Sequence, residues 1–296
     1  MGKRFQLAFG AALAVSLAGC GLTFGPGADD SAKLHEQAQA ALTRWAAALQ
    51  AAGGNADFVQ IGDRTIQVGD WEPAVGDNKA SELDGLVDSV VPLSDQAPPA
   101  GQVHWLDGSV STVGLLSAAQ ALKDIKSEGD PSSCSGCKPL EITKAVLSDG
   151  PVTTTRGTVQ APLWLFSLQG TAVQLARVAV AYNVTVTPPP WDPDHAPIGL
   201  AIYAASGSVT GQELTVTFIG APGPASQGCG ADYTAEAVES SEAVVVIVIE
   251  HSNLTIGACT AEGAVRTATA ELAAPLGNRA VLEVQQGLPV AVTLTP

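Results

Sequence analysis

The sequence predicts a mainly β protein, with an N-terminal α+β domain followed by an all-β, sandwich-like domain. Three observations carry that expectation. Apolar residues recur at helical spacing in only two stretches, both before residue 130. From residue 140 onward the chain breaks into short runs of Val, Ile, Thr and aromatics separated by turn residues. Between them, Pro188-Pro189-Pro190, Pro193 and Pro197 stiffen the chain into an extended spacer and mark a boundary. The expected order is a signal peptide over 1–19, an anchor and flexible spacer over 20–30, an α+β domain over 31–187, a Pro-rich linker over 188–197 and an all-β domain over 198–296.

The chain opens with Lys3 and Arg4, then an apolar run over 7–17, which are the charged and apolar parts of an export signal. A bilayer span needs about 20 apolar residues, so this run is too short to be a permanent anchor. It ends in Leu17-Ala18-Gly19-Cys20, a Leu and two small residues followed by a Cys. These residues resemble the lipobox of bacterial lipoproteins at every position. The resemblance implies cleavage before Cys20, diacylglycerol on its sulfur, and a mature chain held on the outer face of the cell membrane. An ordinary export signal, cut at Ser16-Leu17-Ala18, is the alternative. Each buried methylene contributes about 0.8 kcal/mol, so two acyl chains make a durable tether.

After a Gly- and Pro-containing spacer, Leu34, Ala38, Ala41, Leu42, Trp45 and Leu49 form one stripe of a helix that starts near Asp30 or Ser31 and stops at Gly53-Gly54. Its polar face lacks the basic excess of a membrane-lying helix, which predicts packing on its own domain. Val59 and Ile61, then Ile66 and Val68, alternate around Gly62-Asp63 as a hairpin would. The acidic stretch from Asp70 to Asp88 lacks the spacing of a calcium loop and reads as a solvated face. Asp107-Gly108 marks a second hairpin, and Leu115 to Ile125 a second helix ended by Gly129. Strands are expected over 142–146, 152–159, 163–168 and 178–186, with turns at Asp149-Gly150 and Gln169-Gly170. Trp164 and Phe166 share a face and read as core. Beyond the linker, strands are expected over 198–203, 214–219, 233–238, 243–249, 265–272, 280–284 and 290–294. Ala243 to Ile249 is apolar throughout, which predicts a central strand covered on both faces.

The chain carries 14 Lys and Arg against 29 Asp and Glu, and losing Lys3 and Arg4 takes its formal charge from −15 to −17. That balance makes nucleic acid and anionic lipid headgroups poor partners, so no nucleic acid is expected; the expected membrane contact is the lipid on Cys20, and an envelope protein or small molecule is left open as a partner. Four cysteines remain in a compartment that oxidises thiols, and spacing favours Cys134–Cys137 with Cys229–Cys259 over the other two pairings. A redox pair would need a helix after Cys134, where Lys138-Pro139 and a strand follow instead. Zinc would need a second close pair. Ser135 and Lys138 match the Ser-x-x-Lys of penicillin-binding acylating enzymes, but the companion segments are missing. There is no HExxH, Gly-x-Ser-x-Gly, P-loop or GxGxxG, so no catalytic residue, metal or cofactor is assigned. The expectation is a binding or protein-interaction role, with a structural envelope component or an enzyme as alternatives. All five tryptophans precede residue 198, which points to the first domain for any ligand site.

Overall fold

The N-terminal stripe forms α1 (Ala28–Ala51) in the computed structural model, which describes residues 28–54, 58–72, 78–129, 134, 136–181, 184–252 and 259–295. The export signal, Cys20 and Ser135 lie outside the described residues. Leu34, Ala38, Ala41, Leu42, Trp45 and Leu49 are each at most 7% exposed, so the stripe is buried as its spacing requires. Gly53 and Gly54 take left-handed φ of +86° and +77°, and the Gly54 N–H donates to Leu49 O at 2.8 Å to close the helix.

The first half continues through β1 (Thr65–Val68), α2 (Asn78–Leu83), β2 (Val87–Ser89), β3 (Gly101–His104), β4 (Val110–Val113), α3 (Ala118–Glu128), β5 (Leu140–Thr154), β6 (Gly157–Leu168) and β7 (Gln174–Val178). The strands make one seven-stranded sheet around the long β5–β6 hairpin. Beyond β6 lie β7 and then β1 at one edge, while β3 and β4 extend the other end. Trp105, Val152, Val159 and Val178 fill one core; Ile142, Phe166, Leu175 and Ile125 of α3 fill a second.

The second half holds β8 (Ile202–Ser208), β9 (Glu213–Gly220), β10 (Ala231–Glu239), β11 (Ala243–Ser252), β12 (Ala264–Glu271), β13 (Ala280–Glu283) and β14 (Ala291–Thr295). A three-stranded sheet, β10-β11-β13, faces a four-stranded one, β12-β9-β8-β14. Val244, Val246 and Val248 meet Leu214, Val216 and Phe218 in the core between them. The opposite residues of β11, Val245 and Ile247, pack under Leu42 and Trp45 of α1. The uninterrupted apolar run is therefore a central strand buried on both faces, because a helix covers the side the sandwich leaves open. With 42% strand and 17% helix, the protein is mainly β.

Several local expectations are corrected. α1, read as part of the first domain, packs on β11 and β13 of the second half. Ile198, just past the 188–197 segment, is tied to the same helix: Gln37 of α1 donates to Ile198 O at 3.1 Å and accepts from Ile198 N at 3.0 Å. β5 runs straight through Asp149-Gly150, and the chain reverses after Thr154, whose Oγ1 donates to Gly157 O at 2.7 Å. No hairpin forms over 58–68; Gln60 bridges Thr154 while β1 pairs with β7. β7 lies earlier than the 178–186 strand expected. The acidic stretch is not wholly solvated either. Asp84 is 2% exposed, and Glu82 accepts from Trp71 Nε1 at 3.1 Å and from Lys79 Nζ at 3.0 Å. Cys134 pairs with Cys137 and Cys229 with Cys259, as spacing suggested.

Candidate functional site

The strand β1 ends its sheet. Thr65 to Val68 pair with Arg177 to Gln174 on one side, and among the described residues no strand takes the other. A groove of about 510 Å³ is lined by Thr65, Ile66 and Gln67 of this edge strand, with Pro151 and Thr153 of β5 also in its lining. Residues 60–67 form one wall, and Lys79, Glu82, Leu83, Ile125 and Glu128 of α2 and α3 form the other. An exposed strand edge presents unpaired N–H and C=O groups at regular spacing, so the groove offers main-chain hydrogen bonding along its length.

Local sequence fixes the helical wall. Ser117 caps α3 by accepting from Gln120 N at 3.1 Å, and Ala118, Ala121 and Ile125 bury its inner face. Where α2 meets the end of α3, a Cβ on Gly129 would sit 2.2 Å from the Asp84 carbonyl, so only glycine permits the approach.

A charge network ties strand to helix. Arg177 of β7, 4% exposed, donates to both carboxylate oxygens of Glu128, with Nη2–Oε1 at 2.8 Å, and to Thr65 Oγ1 at 3.2 Å. Asp124 stands 3.9 Å from the same guanidinium. Arg64 reaches Glu128 at 3.4 Å with one nitrogen and donates to Thr185 Oγ1 at 2.5 Å with another. Burial pushes the Glu128 carboxyl upward, but the two guanidiniums outweigh it and hold the group below the usual carboxylate range. Glu128 is thus ionised at neutral pH, and the pair is a brace. Gln60, 9% exposed, donates from Nε2 to Asp63 O at 2.8 Å, while its buried Oε1 has no partner among the described residues. Gln60 and Arg64 also line a smaller pocket of about 170 Å³, together with Arg177 and Asp124.

No His or Cys lines the groove, and among the described residues no group of three or more His, Cys, Asp or Glu is placed to hold a metal ion. No helix among them is long and apolar enough to cross a membrane. The four disulfide cysteines are not among the described residues that line the groove, and they serve as staples. Tryptophan position was a partial guide: Trp45 and Trp105 are core, Trp164 donates to Leu116 O at 2.9 Å, Trp71 braces Glu82, and Trp191 alone is mostly exposed at 74%. The residues sequence reasoning missed are Gln60, Arg64, Glu128 and Arg177. Their only signal was the alternation in Thr65-Ile66-Gln67-Val68; that this strand is an edge comes from topology. No family model, curated protein or solved structure matches this chain.

Proposed function

We propose that the chain is an exported, lipid-anchored cell-envelope protein that binds an extended peptide segment by adding it as a strand along β1. The observation that carries the binding role is the free edge of β1 facing a helical wall across a groove. In strand addition, main-chain hydrogen bonds supply affinity and the flanking pockets read alternate side chains. Gln60 Oε1 supplies a buried acceptor for such a segment, and the mixed charges of Arg64, Lys79, Glu82 and Asp63 read its polar side chains.

Disulfides in both halves fit an oxidising, extracytoplasmic compartment. Between Cys20 and Ala28 the chain spans at most about 28 Å at ~3.5 Å per residue, so a lipid on Cys20 keeps α1 near the membrane surface. Two experiments test the reading. Metabolic labelling with a clickable fatty acid should mark the wild type and not Cys20→Ala; label on the variant refutes the anchor. Panning a random 12-mer peptide-display library on the soluble form, residues 21–296, should enrich peptides whose binding is lost in Gln67→Pro, which removes an edge donor. Enriched peptides indifferent to that substitution refute the site.

A further inference from the structure

We propose a second ligand site: a groove between α1, the 188–197 segment and the turn after β13 that takes an oligosaccharide, with Trp191 as its stacking platform. The cavity measures about 450 Å³, within the ~300–1,000 Å³ of small-molecule sites, and is lined mainly by carbon. Trp191 lies on it at 74% exposure, a large apolar ring left in water by a fold that buries Trp45 and Trp105 almost completely.

Both walls are fixed before any ligand arrives. Three prolines precede Trp191, and a 3₁₀ turn over Pro193–His195 follows it, capped by Asp192, which accepts from Asp194 N at 2.9 Å. Gln37 of α1 holds Ile198, the residue that follows this segment, through both of its amide atoms. Opposite, Glu283, 7% exposed, accepts from the backbone N–H of Gln285 at 2.7 Å and of Gln286 at 2.6 Å. Gly287 follows at φ +72°, where a Cβ would fall 2.8 Å from the Ala41 Cβ, and Arg44 donates to Gln286 O at 3.1 Å. The turn therefore sits directly on the helix. Prearranged walls spare a ligand the ordering cost of binding.

The groups that remain define the ligand. His195 engages Asp192 at 2.7 Å through Nδ1, which leaves Nε2 for a ligand; the Gln286 carboxamide and the outer Arg44 nitrogens complete the rim. Planar donors and acceptors around one exposed indole match a sugar ring, which has an apolar C–H face and hydroxyls that both donate and accept. Arg44 is the one Arg or Lys lining the cavity among the described residues and gives one N–H to the Gln286 carbonyl, so a multiply anionic ligand would meet a single cation here. A polyproline peptide would need a groove lined by several large aromatic rings, and Trp191 is the one Phe, Trp or Tyr lining this one among the described residues.

The test titrates the soluble form, residues 21–296, with the N-acetylglucosamine tetramer and with maltohexaose, reading tryptophan fluorescence and calorimetric heat. At least one should bind, and the two arms tell an N-acetylated chain from a neutral hexose chain. Trp191→Ala should weaken binding at least tenfold with an unchanged melting temperature, and Trp191→Tyr should retain most of it. Saccharide binding that survives Trp191→Ala, no response to either sugar at millimolar concentration, or a Pro-rich 12-mer binding the groove instead would each overturn the proposal.

Discussion

The packing of α1 on the second half makes a prediction opposite to the one the linear order of elements suggests. Residues 198–296 contain all seven strands of the sandwich and the Cys229–Cys259 bridge, yet the outer face of β11 and β13 is covered by a helix that ends at Ala51, far earlier in the chain. Removing α1 uncovers Val245, Ile247, Leu282 and Val284, each at most 1% exposed in the intact protein. At about 1.5–3 kcal/mol per buried side chain, those four lose roughly 6–12 kcal/mol of burial. A domain has only about 5–15 kcal/mol of net stability, so the loss is comparable to the whole. A fragment of residues 198–296 should therefore be oligomeric or bind a hydrophobic dye, and a synthetic peptide of residues 28–54 should restore a monomer with a cooperative urea transition. Size-exclusion chromatography and circular dichroism read both states. A fragment that is monomeric and unfolds cooperatively alone, indifferent to the peptide, would refute the reasoning.

Other consequences follow from single side chains. Trp45 is 1% exposed and its Nε1 has no partner among the described residues, so Trp45→Ala should cost about 3–5 kcal/mol in urea unfolding. Trp45→Phe keeps most of the ring, removes the buried donor and should cost under about 1.5 kcal/mol. Glu128→Ala strands Arg177 in the core and should destabilise by about 2–3 kcal/mol, below the 3–5 of a fully buried pair because Glu128 is 38% exposed; Arg177→Met should cost less, since Glu128 keeps solvent and Arg64. Glu128 and Glu239 both have lowered pKa values: burial raises each, and Arg177 or the Ala273 N–H with Arg279 outweighs it. Their stabilisation is complete above about pH 4.5 and lost as pH falls through the lower folded values, so acid titration of the melting temperature should steepen below pH 4.5, less so in Glu128→Ala. Cys229→Ser should lower stability by up to about 3.7 kcal/mol from loop entropy across a sequence separation of 30, more than Cys134→Ser at about 2.

Periodicity made much of the fold legible. The stripe from Leu34 to Leu49 named the buried face of α1 residue by residue, and the apolar run of β11 announced that something covers both its faces. What covers it was not legible, because a stripe states that a face is buried and not against what. Asp149-Gly150 misled for a related reason: turn-forming residues are tolerated within a long strand, where Gly150 faces Ala161 in unbroken register. The acidic stretch concealed Glu82, since composition cannot tell that Trp71 Nε1 meets its carboxylate. The candidate peptide groove was hidden for a topological reason. Thr65-Ile66-Gln67-Val68 reads as any short strand, and its free edge exists only because β7 pairs with the other side.

Amide hydrogen exchange on the soluble form, with and without a display-selected peptide, tests peptide addition along β1 most directly. Without peptide, the β1 amides that point away from β7 should exchange far faster than those of the β5–β6 hairpin; saturating peptide should slow them at least tenfold, with no comparable change in β9 or β12. Protection confined to another strand edge, or β1 amides already slow without peptide, would contradict the account.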